Sequence, residues 1–156
     1  QGDDRLVMLM GRHHPLSGTV PSLDDYLAWP HLQVSGGGDK DSPVEQVLAP
    51  LGLSRRWFAR VPFFQAAVEV LLRTDCLMTT PAHIAWQLSR EHALSFCDLP
   101  FATRVQQYHL LWHQRHHLDP AHRWFRELAY PFLRDHLQRT LGESRKQLGL
   151  KADPLR

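Results

Sequence analysis

Residues 56–90 read RWFARVPFFQAAVEVLLRTDCLMTTPAHIAWQLSR, and their alternation of apolar runs with helix-period segments decides the fold class. Arg56 to Val61 has the aromatic and β-branched content of a strand, and Pro62 closes it. Phe64, Ala67, Val68, Leu71 and Leu72 then fall at i, i+3, i+4, i+7 and i+8, the stripe of an amphipathic helix expected over Phe64 to Arg73. Cys76-Leu77-Met78 is the next strand. Thr80-Pro81 sets a capping hydroxyl before proline at the first helical position, which predicts a helix to about Arg90 with Ile84, Ala85 and Leu88 on one face.

The same unit repeats on both sides of this block. Leu6 to Met10 is apolar throughout, the pattern of a strand buried on both faces, and it begins almost at the first residue. Ser22 is the expected N-cap of a short helix, Leu23 to Ala28, with Asp25 placed where its charge suits the helix N-terminus, and Pro30 stops it. His31 to Val34 is a short strand. The glycines of Gly36-Gly37-Gly38-Asp39-Lys40-Asp41 lack the spacing of either nucleotide-binding fingerprint and read as a flexible loop. Ser42-Pro43-Val44-Glu45 has the order of a capping box and opens a helix that Gly52 ends. On the C-terminal side, Ala93 to Leu99 and Gln107 to His113 are expected strands. Asp119-Pro120 starts a last helix with Trp124, Phe125, Leu128 and Phe132 on its apolar face, Pro131 is expected to kink or end it, and the polar residues after Leu141 read as a frayed tail. Six strands and five helices in near-strict alternation predict an α/β fold with mainly parallel strands.

Composition bounds the function. The 156 residues carry 18 Lys plus Arg against 16 Asp plus Glu, a net charge of +2 that offers nucleic acid little electrostatic footprint. The 43% hydrophobic content, with five Trp and seven Phe, fills a core and excludes disordered and collagen-like classes. No apolar run reaches the roughly 18 residues that span a bilayer, and no signal peptide is evident, so a cytoplasmic protein without membrane contact is expected. Cys76 and Cys97 have no metal or disulfide spacing and read as reduced core residues.

In α/β sheets ligands bind beyond the carboxyl ends of the strands, so the residues there are the candidates. Thr79 and Thr80 bring hydroxyls to a strand end and helix start, where a carboxylate or phosphate can be bound. Pro62-Phe63-Phe64 holds the equivalent place after an earlier strand; two adjacent aromatics cannot face one core from a regular helix, so one is free for a ligand. Arg104 lies between two strands, within a crossover from which a guanidinium can grip an anion. His109, His113, His116, His117 and His122 invite a metal reading, but their spacing supports no site, and no metal or other cofactor is expected. There is no Gly-x-Ser-x-Gly elbow, and no catalytic residue is assigned.

Three segments, His14-Pro15-Leu16, Arg60-Val61-Pro62-Phe63-Phe64 through Thr74-Asp75, and Thr79-Thr80-Pro81, together resemble the effector-binding region of LysR-type transcriptional regulators. The block from Trp112 to Phe125, with His113, Arg115, His117, Asp119, Pro120, Ala121, His122, Arg123 and Trp124, is similar to the branch that regulates aromatic-compound degradation and nodulation. The similarity runs in collinear order over roughly residues 5 to 137. It implies a type 2 periplasmic-binding-protein-like fold, two Rossmann-like α/β subdomains joined by two crossovers, with a small anionic or aromatic effector in the cleft. On that plan 1–29 and 104–141 belong to a first subdomain, incomplete in this chain, 30–103 form the second, and 142–156 are a polar tail. The resemblance places Phe63, Thr79, Thr80 and Arg104, flanked by Pro62 and Phe64, at the effector. It also implies a homo-oligomer, dimer or tetramer, that contacts DNA only through an N-terminal helix-turn-helix outside this sequence. Phe63 stands where some relatives carry a polar residue, which favours stacking and a more apolar pocket. Two alternatives remain open from the residues: a solute-binding protein of the same fold, and a metalloenzyme built on the histidines.

Overall fold

The computed structural model describes residues 3–35 and 42–149; the glycine loop 36–41 and the end of the polar tail, 150–156, lie outside the described residues. Its elements are β1 (Asp3–Asp4), β2 (Leu6–Gly11), α1 (Leu23–Ala28), β3 (His31–Val34), α2 (Pro43–Leu48), β4 (Trp57–Val61), α3 (Phe64–Leu71), β5 (Leu77–Pro81), α4 (Ala82–Glu91), β6 (Leu94–Asp98), β7 (Gln106–Gln107) and α5 (Pro120–Gln147). Five strands form one sheet in the order β4-β3-β5-β2-β6, and β1 pairs with β7 as a separate two-residue ladder. β3 runs parallel to β4 and β5, whereas β2 runs antiparallel to both β5 and β6. β3, β4, β5 and β6 therefore end at one edge of the sheet, where β2 begins.

Both faces of the sheet are covered. Val7 and Leu9 pack with Leu32, Val68, Leu71, Met78 and Ala85 on the side of α3 and α4. Met8 and Met10 point the other way, to Tyr26, Val44, Leu48 and Leu77. Such a strand must be apolar at every position, which is why Leu6 to Met10 shows no alternation. Each of the Val, Leu and Met side chains among these contributes about 1.5–3 kcal/mol by leaving water. Ser22 and Asp25 close a reciprocal capping box on α1, with Asp25 N–H donating to Ser22 Oγ at 3.1 Å and Ser22 N–H to Asp25 Oδ2 at 2.8 Å. Gly52, at φ +69°, ends the 3-10 turn after α2 in a conformation that L side chains rarely adopt.

Several expectations need correction. The mainly parallel character holds for β3, β4, β5 and β6, which share one direction, but β2 is inserted against it. Residues 1–29 do not stand apart from 30–103: β2 is hydrogen-bonded between β5 and β6, and α1 covers the same sheet. Thr80 does not cap a helix; Thr79 and Thr80 lie inside β5, paired with Met8 and Val7, and α4 starts at Ala82. Ser42 makes no side-chain bond to the backbone of α2; its hydroxyl donates to the Glu45 carboxylate instead. Of the expected Gln107–His113 strand only Gln107 pairs, in a two-residue strand with Gln106. α5 runs on through Pro131 to Gln147, so the start of the supposed tail is helical, and Thr140, Leu141 and Ser144 are buried there. The N-terminal part of α5 instead leaves Trp124, Phe125, Leu128 and Phe132 exposed, since none of the described residues covers that face.

Candidate functional site

The edge where β3, β4, β5 and β6 end also carries both crossovers. β1 enters β2 here and β7 follows β6, and the two pair with each other through Asp3 and Gln107 and through Asp4 and Gln106. Phe63 sits just past β4 and is 69% exposed, while Phe64, the first residue of α3, turns in against the core, so the two aromatics divide as the helix geometry requires. Pro62 is exposed beside Phe63. β5 lies two strands in from β4, which puts its end about 10 Å from that of β4 at ~4.8 Å per strand. Arg104 is exposed on the returning crossover, and its backbone carbonyl accepts from Gln106 Nε2 at 3.1 Å. The candidate residues thus share one sheet edge but are spread along it.

Thr79 and Thr80 face opposite ways, as neighbours in a strand must. Thr79 is on the Tyr26 side, with its Oγ1 2.7 Å from Tyr26 Oη. Thr80 is buried, and its Oγ1 has no hydrogen-bond partner. Gln33 shares the Thr79 face, since His31 pairs with Leu77 and both strands step by two, and its Oε1 is likewise buried without a partner. Arg55 lies behind this face with 4% of its side chain exposed. It donates from Nε and Nη2 to Glu45 at 2.8 and 2.7 Å and from Nη1 to Tyr26 Oη at 3.4 Å. Burial pushes the Glu45 carboxyl up, but the Ser42 hydroxyl and the Arg55 guanidinium outweigh it and hold the group below the usual carboxylate range. His31 is fully buried, and desolvation lowers its pKa to about 4, so it is neutral.

A second polar cluster ties the crossovers to the sheet. Asp4 is 4% exposed; its Oδ2 lies 2.6 Å from His83 Nδ1 and accepts from Tyr108 Oη at 3.5 Å. Burial, then the Asp4 charge, raise the Tyr108 phenol above its usual range. Arg5 and Asp98 form an exposed ion pair at 3.2 Å across the adjacent ends of β2 and β6. None of Tyr26, Arg55, Glu45, Asp4 or His83 was singled out from sequence as a site residue; their partners are 10 to 104 residues away, and the Ser42–Glu45 spacing was the one local signal.

The histidines serve local structure. His113 Nδ1 accepts from Arg115 N–H, and His122 lies 2.7 Å from Arg126 Nη1. Among the described residues no three His, Cys, Asp or Glu side chains are placed to hold a metal ion. His14 is buried, accepts from Leu16 N–H and bonds the Asp75 carbonyl through Nε2, so the His14-Pro15-Leu16 segment is a corner away from the candidate edge. An open groove of about 700 Å³ runs along α5, lined by Tyr108, Leu110, Trp112, Arg126 and Tyr130 among others. No helix among the described residues is long and apolar enough to cross a membrane.

Known proteins match this arrangement. The transcriptional activator NahR of Pseudomonas putida is 27% identical over 129 residues, covering 83% of this chain and 43% of NahR. The structure of a candidate transcriptional regulator from Vibrio parahaemolyticus superimposes with a TM-score of 0.74 at 27% identity, over 91% of this chain and 64% of that one. The regulatory domain of MexT, a transcriptional activator in Pseudomonas aeruginosa, does so at 0.67 and 30% identity, over 81% of this chain and 62% of that one. The fold is the type 2 periplasmic-binding-protein-like one of such domains, and the relatives are regulators, not enzymes. The chain spans less than half the length of the curated relatives it matches. Residues 2–134 match the LysR substrate binding domain, and the chain belongs to that family of effector-binding regulatory domains.

Proposed function

We propose that this chain is the sensing part of a LysR-type regulator that holds a small anionic or aromatic effector at the edge bearing Phe63, Thr79 and Arg104. The carrying observation is convergence: four strand ends, both crossovers and the exposed Phe63 ring meet at one edge of the sheet. Phe63 offers a stacking face and Arg104 a charge for a carboxylate. Thr80, buried with an unpartnered hydroxyl, together with Pro62 and Phe64, supports the shape of the site. Residues 104–141 form part of a second lobe completed by polypeptide outside this chain, which supports reading their exposed apolar side chains as an interface rather than free surface. In the whole protein an N-terminal helix-turn-helix contacts DNA in the cytoplasm, copies associate, and effector binding shifts the balance between two arrangements by its differential affinity for them. Titration of the intact protein with aromatic and aliphatic carboxylates by calorimetry tests this reading. Arg104→Ala is expected to weaken a carboxylate effector by about 1.5–3 kcal/mol. An isotherm unchanged by that substitution removes Arg104 from the site.

A further inference from the structure

The hydroxyl of Thr79 is oriented from behind. Tyr26, whose Oη lies 2.7 Å from Thr79 Oγ1, is fully buried, with its ring edge-on to Phe101 at 5.3 Å and tilted against His31 at 4.5 Å. His31 Nε2 is 2.7 Å from the Tyr26 carbonyl, so the backbone at this point of α1 is fixed as well. Beyond the phenol, Arg55 reaches Oη from Nη1 at 3.4 Å while Glu45 holds its other nitrogens and the Trp57 ring lies 4.3 Å beneath it.

The chemistry of these groups gives the chain of bonds a direction. A guanidinium only donates, so Tyr26 Oη accepts from Arg55. Among the described residues the other partner of Oη is Thr79, so the phenol proton goes to Thr79 Oγ1. Burial, the largest influence on this phenol, raises it above its usual range, so it keeps the proton it donates. Thr79, having accepted, retains its own proton for a third group, and successive bonds leading away from a cation polarise one another in the same sense.

We propose that Tyr26, backed by Arg55, is a positioning residue that fixes Thr79 as a hydrogen-bond donor toward the bound molecule, so that the pocket selects a group that accepts, such as a carboxylate, over one that donates. This rests on the reading of Thr79 as an effector contact. Tyr26 sets the sense of the bond, and Thr79 makes it.

The test uses the intact protein with benzoate and its isostere benzamidine, which presents donors where benzoate presents acceptors, followed by a set of other carboxylates each paired with its amidine. Thermal shift and calorimetry are run on wild type, Tyr26→Phe, Thr79→Val and Thr79→Ser. Wild type is expected to bind a carboxylate and not its amidine. Thr79→Val and Tyr26→Phe should each lose about 10-fold or more for that carboxylate, a loss equivalent to one charge-assisted bond, and Thr79→Ser should restore binding. A loss in Thr79→Val with wild-type affinity in Tyr26→Phe overturns the relay and leaves the site intact. Wild-type affinity in Thr79→Val overturns the Thr79 contact itself, and the relay with it. Amidines binding as well as acids, or no carboxylate binding at all, overturns the selectivity. If Tyr26→Phe does not fold by circular dichroism, the Val and Ser variants at position 79 with the acid-to-amidine ratio decide the outcome.

Discussion

Asp4 Oδ2 stands 2.6 Å from His83 Nδ1, so the carboxylate of the first crossover strand is bonded to the opening turn of α4. The same oxygen accepts from Tyr108, just after the returning crossover, and Asp4 pairs with Gln106. One buried carboxylate therefore holds both connections between the sheet and whatever lies beyond it. Asp4→Asn keeps the shape and weakens these bonds, for an expected cost of about 1–3 kcal/mol. Urea midpoints and amide exchange at Gln106 and Gln107 measure it, with faster exchange expected at both. Unchanged exchange and midpoint mean that the crossovers are held by their backbone pairing alone.

Glu45 and Arg55 form the other buried ion pair, Arg55 almost wholly inside and Glu45 one-third exposed. Removing the carboxylate leaves a desolvated guanidinium without its partner, so Glu45→Gln is expected to cost about 2–3 kcal/mol after discounting for the exposure. Replacing both residues by Leu removes the stranded charge and should cost less than the single change. Denaturant unfolding of the two variants compares them. A double variant less stable than Glu45→Gln would show that the pair contributes more than its own desolvation.

What was legible in the sequence follows from how local the signals are. Leu6 to Met10, the Ser22 cap and the stripe from Phe64 to Leu71 depend on neighbours within a few residues, and those elements stand as read. The direction of β2 is not local: strand and helix alternate in the same way whichever way a strand points, and pairing with β5 and β6 decides it. That pairing also draws Thr79 and Thr80 into β5 against their helix-start appearance. The division between Phe63 and Phe64 could be read from helix geometry, whereas the Tyr26–Thr79 and Asp4–His83 contacts join residues 53 and 79 apart. Nothing short of the folded sheet brings those together.

His31 makes stability depend on pH. Its folded pKa is about 4, below the usual 6.5, because burial disfavours the cation. The unfolded chain therefore binds the proton first as pH falls. The stability associated with the neutral ring is complete above pH 6.5 and is lost between about 6.5 and 4, up to about 3 kcal/mol for a shift of this size. Unfolding measured from pH 7.5 to 4.5 should show this slope, and His31→Gln should flatten it. The carboxylates held below their usual range, such as Glu45, act at lower pH.

Phe63 and Phe64 should separate binding from folding. Phe63 is 69% exposed and makes little core, so Phe63→Ala is expected to change stability by no more than about 0.5 kcal/mol while weakening an aromatic effector. Phe64 packs against the core from the first turn of α3, and Phe64→Ala is expected to cost about 1–3 kcal/mol, less than a fully buried aromatic. Thermal melts with and without an aromatic carboxylate read both effects. Equal destabilisation by the two substitutions would mean that Phe63 is covered in the folded protein and is not free for a ligand.

The described residues leave one face of α5 apolar and uncovered. Trp124, Phe125, Leu128 and Phe132 lie on one broad helical face with exposures of 64, 60, 49 and 72%, and Leu111 and Leu118 beside them are exposed as well. A contiguous apolar surface of this kind is characteristic of an interface. The isolated 156 residues are therefore expected to self-associate and to bind a hydrophobic dye at roughly 100 μM. Trp124→Glu combined with Phe132→Glu should return the isolated chain to a monomer by sedimentation velocity without altering its far-ultraviolet circular dichroism, because neither side chain supports the sheet. On the proposed reading, in which a second lobe covers the face in the intact protein, the same pair of charges should lower that protein's melting temperature. That opposite pair of outcomes separates an interior face from ordinary stickiness: a surface patch would tolerate the charges in both proteins, and a dye-silent monomer of the isolated wild-type chain would mean that the face is already covered.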